Sequence, residues 1–337
     1  MRAWTIADGF GFEHLQLVDR PDPNPGPGQV AVAVKACSLN FRDLLIVRGL
    51  YNPRMQLPRI PCSDGAGEVV AVGPGVTRVA VGDRVCATFS QRWDSGPLTD
   101  TAARSTLGGD LDGTLAERVL LSEGGVVKYP SYLSLEEAAT LPCAAVTAWN
   151  ALAAGGLKAG ETVLLQGTGG VSIFALQIAK LFGARVLITS GSDEKLERAI
   201  GVGASAGVNY KTNADWDKWA KAQAGGVGVD HVVEVGGAGT LEKSCKAVRT
   251  SGHVALIGVL SGSGSVNPVH ILMRAVNVRG ILVGSRALFE EMNRAFDLHK
   301  VRPVVDYVFP FEEFPRALEY LESGAHFGKV VVRVGVG

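Results

Sequence analysis

The spacing of apolar residues changes character near residue 130. Before that point, short β-prone runs at 29–36, 67–72, 83–87 and 116–121 alternate with glycine and proline, and the connectors at 21–28 and 73–75 carry turn chemistry. Strands this short, separated this way, predict a compact β-rich domain. Beyond it the rhythm becomes strand, helix, strand. Residues 162–166 form a β-branched and leucine run that stops at Gly167, and residues 172–182 then set Ile173, Leu176, Ile178 and Leu181 at mostly helical intervals before Gly183. A strand at 185–189, a helix at 193–200 led by Asp193, and strands at 230–235 and 253–258 continue the series. Strands that are apolar on both faces belong to a parallel sheet covered by helices on each side, so the expected class is α/β and doubly wound. A helix at 287–299 and a strand at 329–334 follow, and that strand is expected to rejoin the β-rich domain. The polar, glycine-rich stretch 90–112 reads as a long surface loop, and Trp216 and Trp219, three apart, read as packing on one helix face.

At 337 residues the chain suits two domains, and with 47% apolar and 20% charged residues it needs no disulfide or structural metal to hold its cores. Lysine plus arginine and aspartate plus glutamate number 33 each, with no run of like charge, which argues against nucleic acid or an anionic membrane as the partner. Five scattered cysteines, Cys37, Cys62, Cys86, Cys143 and Cys245, have no C-x-x-C spacing and read as reduced thiols. The opening residues lack the apolar stretch of a secretory signal, and no apolar run reaches the ~20 residues of a membrane span. A cytoplasmic protein with a small-molecule substrate is expected.

The strand at 162–166 leads into Gly167-Thr168-Gly169-Gly170-Val171-Ser172 and at once into a helix. Glycine permits the tight turn and lets backbone approach a pyrophosphate, whose charge is met by free N–H groups at the helix start. A glycine-rich hexapeptide alone says little; between a buried strand and a helix it marks a dinucleotide site. Ser172 stands where the fingerprint has its third glycine, a position that serves helix–strand packing and accepts a small side chain. The bland alternative is a glycine-rich turn with no ligand. About 20 residues further on, a site preferring NADH offers a carboxylate to the ribose hydroxyls. Here the strand ends in Ser190-Gly191-Ser192 with Lys195 on the next turn, while Asp193 and Glu194 read as capping the helix start. Hydroxyls and a cation suit a 2′-phosphate, so NADPH is expected ahead of NADH.

Over essentially its whole length the chain resembles the medium-chain dehydrogenase/reductase superfamily. Asn40-Phe41-Arg42-Asp43, the stretch from Pro61 to Val70, Val81-Gly82-Asp83-Arg84-Val85, the turn at 167–171 and His326-Phe327-Gly328-Lys329-Val330 agree in order and spacing. The resemblance implies a GroES-like β-rich domain at 1–126, completed by 287–337, and a Rossmann NAD(P)-binding domain at 127–286. It also implies substrate in the cleft between them and a homodimer formed through the strand at 278–283. The alcohol dehydrogenase branch holds a catalytic zinc through a cysteine, a His-Glu pair and a later cysteine. Those positions here read Asn40, Ser63-Asp64 and Cys143, and the stretch 90–112 lacks the four cysteines of a structural zinc lobe. Amide and hydroxyl are poor replacements for thiolate and imidazole, so no metal is expected. The same residues resemble the zinc-free branch of quinone oxidoreductases and enoyl or enone reductases, as do Lys195 and Tyr210, which match that branch's NADPH-contacting pair. The expected cofactor residues are therefore Gly167, Thr168, Gly169, Gly170, Val171, Ser190, Ser192, Lys195 and Tyr210.

What the branch implies is metal-free hydride transfer from NADPH to a quinone, an enone or a related activated carbonyl. Tyr51 matches the tyrosine that enoyl reductases of this family place over the substrate, and a phenol is a competent proton or hydrogen-bond donor. Its alternative role is a surface-loop or cleft-lining aromatic. Asn40 is expected to orient substrate or nicotinamide, or else to cap the segment that follows. Asp43 and Asp64 read as structural, Cys143 as a small apolar helix residue, and His326 as part of a closing turn. A zinc-free alcohol dehydrogenase or carbonyl reductase, and a nucleotide-binding protein of low turnover, stay open because all three share the same loop.

Overall fold

The computed structural model describes residues 1–335 apart from Val259 and Ser263; these two, with Val336 and Gly337, fall inside the expected domain ranges but outside the described residues. The chain forms two compact units, Met1–Val146 with Gly284–Gly337, and Thr147–Val283.

The first unit is organised around the strand Gln29–Leu39, which pairs antiparallel with Asp64–Val72, Arg118–Ser122 and Lys329–Arg333. Arg84–Ala87 and Val126–Lys128 extend the sheet on one side, and Val305–Pro310 on the other. Alternation along these strands gathers Val30, Val32, Val34, Val69, Val330 and Val332 into one apolar core. The helix Phe314–Glu322 closes that core with Phe314, Leu318 and Leu321. The strand near residue 330 thus rejoins the β-rich unit, as its apolar run leads one to expect. Residues 127–146 and 284–286, grouped by sequence with the nucleotide domain, pack in this unit. Val126–Lys128 adds a strand to its sheet, and the helix Leu135–Ala139 lies against Gln29–Leu39.

The stretch 90–112 differs from the surface loop that its polarity suggested, since Ser90, Gln91, Ser105, Thr106 and Leu107 are buried. Their polar atoms are matched within the fold. Ser90 Oγ donates to the Ala102 carbonyl at 2.5 Å, and Gln91 Nε2 donates to the carbonyls of Thr88 and Gly125 at 3.1 and 3.0 Å. Polar residues satisfied this way can enter a core, which composition alone does not reveal.

In the second unit six strands are all parallel, in the order Ala206–Asn209, Arg185–Ser190, Thr162–Gln166, Val229–Glu234, Val248–Leu256, Asn277–Gly280. Counted along the chain this is 3-2-1-4-5-6, the Rossmann order. The helices Gly170–Leu181, Asp193–Val202, Trp216–Gln223 and Leu241–Ala247 link successive strands. Leu164, Leu187, Val232, Val254 and Trp216 fill one core, with Trp219 packed against it, so both tryptophans serve packing. The order reverses between Thr162–Gln166 and Val229–Glu234, and the carboxyl ends of strands at such a reversal are where these sheets receive ligands. Among the described residues, all five cysteines are unpaired and no helix is long and apolar enough to cross a membrane.

Candidate functional site

The glycine-rich turn begins at the end of Thr162–Gln166, on one lip of that reversal. Gly167 has φ +70°, a left-handed conformation that a side chain strains against. A Cβ added at Gly167 or Gly169 would meet no atom within 4 Å, so the turn opens onto free space rather than onto protein. Gly169 precedes the helix Gly170–Leu181 and offers no side-chain cap, which leaves the first helical N–H groups without an internal acceptor. Donors of this kind, pointing with the helix dipole, are the chemistry that receives a diphosphate. Ser172 is buried, and its Oγ donates to the Gln166 carbonyl at 2.6 Å, binding helix to strand where a third glycine would only have permitted close packing. Thr168 is buried as well, while Gly170 and Val171 are half-buried in the first helical turn.

At the tip of the neighbouring strand, Ser190 is buried and its Oγ accepts the Ser192 N–H at 3.3 Å. Ser192 Oγ accepts the Lys195 N–H and caps the helix Asp193–Val202. Asp193 takes the Asn209 side-chain amide at 2.8 Å, which turns its carboxylate toward that residue. A Cβ at Gly191 would lie 2.8 Å from the Tyr210 hydroxyl oxygen and 2.9 Å from Lys211 Cε. Tyr210 and Lys211 therefore converge on the strand tip, and Tyr210 is exposed. Lys211 was not among the residues singled out from sequence; its position next to Tyr210 was the available signal.

The other lip of the reversal is closed by Glu234, which is 0% exposed. Its Oε1 accepts the N–H groups of Gly236 and Gly237 at 2.8 and 3.0 Å and the Thr240 hydroxyl at 2.5 Å. Its Oε2 accepts Gln166 Nε2 at 2.7 Å and also the Ser244 hydroxyl. Gln166 in turn accepts the N–H groups of Val235 and Gly236 on its Oε1 at 3.2 and 3.3 Å. The residue that launches the glycine turn is thus bonded to the loop leaving the fourth strand. Sequence reading missed Glu234, because an acid at the end of an apolar strand looks like a solvent-facing tip.

In the first unit, the remaining candidates cluster around the helix Phe41–Val47. Asn40 precedes it; its N–H donates to Asp43 Oδ2 at 2.8 Å, and its Oδ1 accepts the Lys329 ammonium at 2.6 Å. Lys329, 3% exposed, also donates to the Leu39 carbonyl at 2.6 Å. Asp64 accepts the Ser63 hydroxyl at 2.7 Å and the Cys143 N–H at 3.1 Å. Burial pushes the Asp64 carboxyl upward, opposed by the Lys329 charge and by these hydrogen bonds. Burial, then repulsion from Asp64, pushes the Cys143 thiol well up, which keeps it a neutral thiol. Arg42 donates to the Leu107 carbonyl and to Thr106 Oγ1 at 2.8 and 2.9 Å. Its guanidinium lies 4.9 Å from the ring centre of Tyr51 and 4.7 Å from that of Phe89. Tyr51 is 43% exposed and stays accessible above this cation.

These donors do not suit a catalytic zinc. Asn40 Oδ1 is already taken by an ammonium and Ser63 is a neutral hydroxyl that donates to Asp64, so neither supplies the thiolate or imidazole that would stand beside Cys143. Among the described residues, His, Cys, Asp and Glu side chains form no group of three or more able to hold a metal ion.

Residues 26–131 match the alcohol dehydrogenase GroES-like domain, and residues 170–298 match the zinc-binding dehydrogenase family. A zinc-type alcohol dehydrogenase-like protein of Schizosaccharomyces pombe is 45% identical over 313 residues, 90% of each chain. A crystal structure of an NAD-dependent alcohol dehydrogenase shares 37% identity with a TM-score of 0.90, covering 99% of this chain and 100% of that one. The quinone oxidoreductase of Thermus thermophilus, solved also in complex with NADPH, shares 32% identity with a TM-score of 0.79, covering 99% and 100%.

Proposed function

Because the chain belongs to the medium-chain dehydrogenase/reductase superfamily, and with it to the NAD(P)H-dependent oxidoreductases, we propose that it is a reductase using NADPH, without a metal, on a quinone, an enone or a related activated carbonyl. The observation that carries this reading is the open glycine cradle at the reversal of a 3-2-1-4-5-6 sheet. The backbone at Gly167, Thr168, Gly169, Gly170 and Val171 would receive the diphosphate. Ser190, Ser192, Lys195 and Tyr210, joined by Lys211, would meet the 2′-phosphate. When bound, the dinucleotide supplies a hydride; the side chains of this protein bind, orient and donate.

Tyr51 offers the phenol that donates a proton or hydrogen bond to the oxygen on which charge develops. The Arg42 guanidinium against its ring fixes where that phenol stands. Asn40, anchored through its oxygen by Lys329, has its amide rotamer set. Cys143, neutral and hydrogen-bonded through its backbone to Asp64, takes no nucleophilic part. The likeness to a quinone oxidoreductase supports a metal-free route, and the likeness to alcohol dehydrogenases supports carbonyl reduction as the second reading.

Oxidation of NADPH and NADH with a quinone, an enone and an aldehyde, with and without a chelator, tests the reading. Turnover that survives chelation, with NADPH favoured, is expected. Loss of activity on chelation would overturn the metal-free route, and no turnover of any of the three would favour a nucleotide-binding protein. A homodimer through the edge strand Asn277–Gly280 belongs to the same proposal. It is supported by the exposed apolar residues Val269, Leu272 and Met273 on the preceding helix, and sedimentation checks it. Reduced cysteines accord with a cytoplasmic setting.

A further inference from the structure

The strand reversal divides the nucleotide crevice into two sides. On one side lie the glycine turn and the tip of the second strand; on the other lie the loops leaving the fourth and fifth strands. A dinucleotide spanning a reversal sends its adenosine half to the first side and its nicotinamide half to the second. The second side is held by Glu234. Two donors from the loop backbone and the Thr240 hydroxyl fall on Oε1, whereas Gln166 and Ser244 fall on Oε2. The same loop is tied onward, since Ser261 Oγ donates to the Gly236 carbonyl at 2.7 Å and accepts the Gly239 N–H at 2.8 Å. Glu234 is therefore bonded both to the residue that precedes the glycine turn and to the loop on the far side.

We propose that Glu234 is a positioning residue for the nicotinamide half of the cofactor: it fixes the loop at 235–240 before the dinucleotide arrives and registers it against the glycine turn. This rests on the nucleotide-binding reading above and deepens it. Five donors pointing at one carboxylate require two acceptor oxygens. An amide has one, so Glu234→Gln turns an NH2 group toward donors on one side or the other and loosens one lip of the crevice. A pre-formed lip spares the bound state the entropy of ordering it, and a loosened one makes binding bear that entropy. The adenosine end, held at Ser190, Tyr210 and Lys211 on the other side, is untouched by the change.

The test compares a whole ligand with half of it. NADPH and adenosine 2′,5′-bisphosphate are titrated by calorimetry into the full chain, into Glu234→Gln and into the milder Thr240→Val, which removes a single donor and keeps the carboxylate. The expected result is an NADPH Kd raised about tenfold or more by Glu234→Gln and less by Thr240→Val, with the bisphosphate Kd within about twofold of the parent. Equal weakening of both ligands would show a role in holding the unit together and no more, and would overturn the proposal. So would unchanged NADPH affinity in both variants. If the parent chain binds neither ligand, the nucleotide reading itself falls, an outcome distinct from both.

Discussion

Glu234 in the second unit and Asp43 in the first are both fully buried carboxyl groups. Glu234 accepts five hydrogen bonds, every one from a neutral donor. Asp43 accepts one from the Asn40 N–H on Oδ2, and among the described residues its Oδ1 has no hydrogen-bond partner. Burial, reinforced by the neighbouring Asp64 charge and opposed by Arg42 and Lys329, pushes the Asp43 carboxyl up to about 6. A buried acid can thus have both oxygens surrounded by donors, as at Glu234, or be left short of donors and hold its proton more tightly, as at Asp43. The nucleotide unit uses the first and gains rigidity. At Asp43 the β-rich unit carries a group that changes charge near pH 6.

The sharpest way to break this contrast is Glu234→Ala. It strips a shared acceptor from five donors, three of them in fully buried bonds, and should lower the stability of the chain by about 3–5 kcal/mol in urea unfolding. A loss below about 1 kcal/mol would mean that water replaces the carboxylate and that the donors needed no such partner. Asp43→Asn comes next and tests the other half. A carboxyl raised from 3.8 to about 6 in the folded state favours folding while both states are protonated, and that advantage is lost as pH rises through about 6. The parent should thus lose about 2 kcal/mol relative to Asp43→Asn between pH ~4 and ~7, and parallel stability curves would refute the shift. Gly169→Leu fills the open cradle without straining the backbone, whose φ there is −76°. It should weaken NADPH about 100-fold, or about 2.7 kcal/mol, with the melting temperature unchanged. An effect below about fivefold would place the diphosphate elsewhere. Smallest is Lys211→Ala, for which a Kd raised about tenfold for NADPH and unchanged for NADH is expected. An equal effect on both cofactors would remove Lys211 from the 2′-phosphate pocket.

The same contrast explains what could be read along the chain. The Rossmann unit is written locally: an apolar run, a glycine turn and a helix occupy 162–182 in sequence and adjoin in space. The strand Thr162–Gln166 begins and ends where its β-branched and leucine run does. The cluster of the first unit is written across the chain. Lys329 and Asn40 stand 289 residues apart and meet only because Lys329–Arg333 pairs with Gln29–Leu39. No spacing rule brings them together. Asn40 could be suspected from its motif, but its ammonium partner could not. Glu234 escaped for a third reason: one residue's pattern shows that it is polar, not how many donors the fold will bring to it. The buried stretch around Ser90 and Ser105 misled in the same way.

The pairing of Gln29–Leu39 with Lys329–Arg333 also sets an order of events during translation. The segment Thr147–Val283 is continuous and is synthesised whole before the strand Lys329–Arg333, whereas the β-rich unit lacks one of its central strand partners until that strand is made. A nascent or prematurely stopped chain that ends before residue 329 already has the whole six-stranded unit yet lacks the lysine that holds the Asn40 oxygen. In such a species the edge of Gln29–Leu39 that Lys329–Arg333 covers stays unpaired, a template for association with another chain until synthesis reaches Arg333.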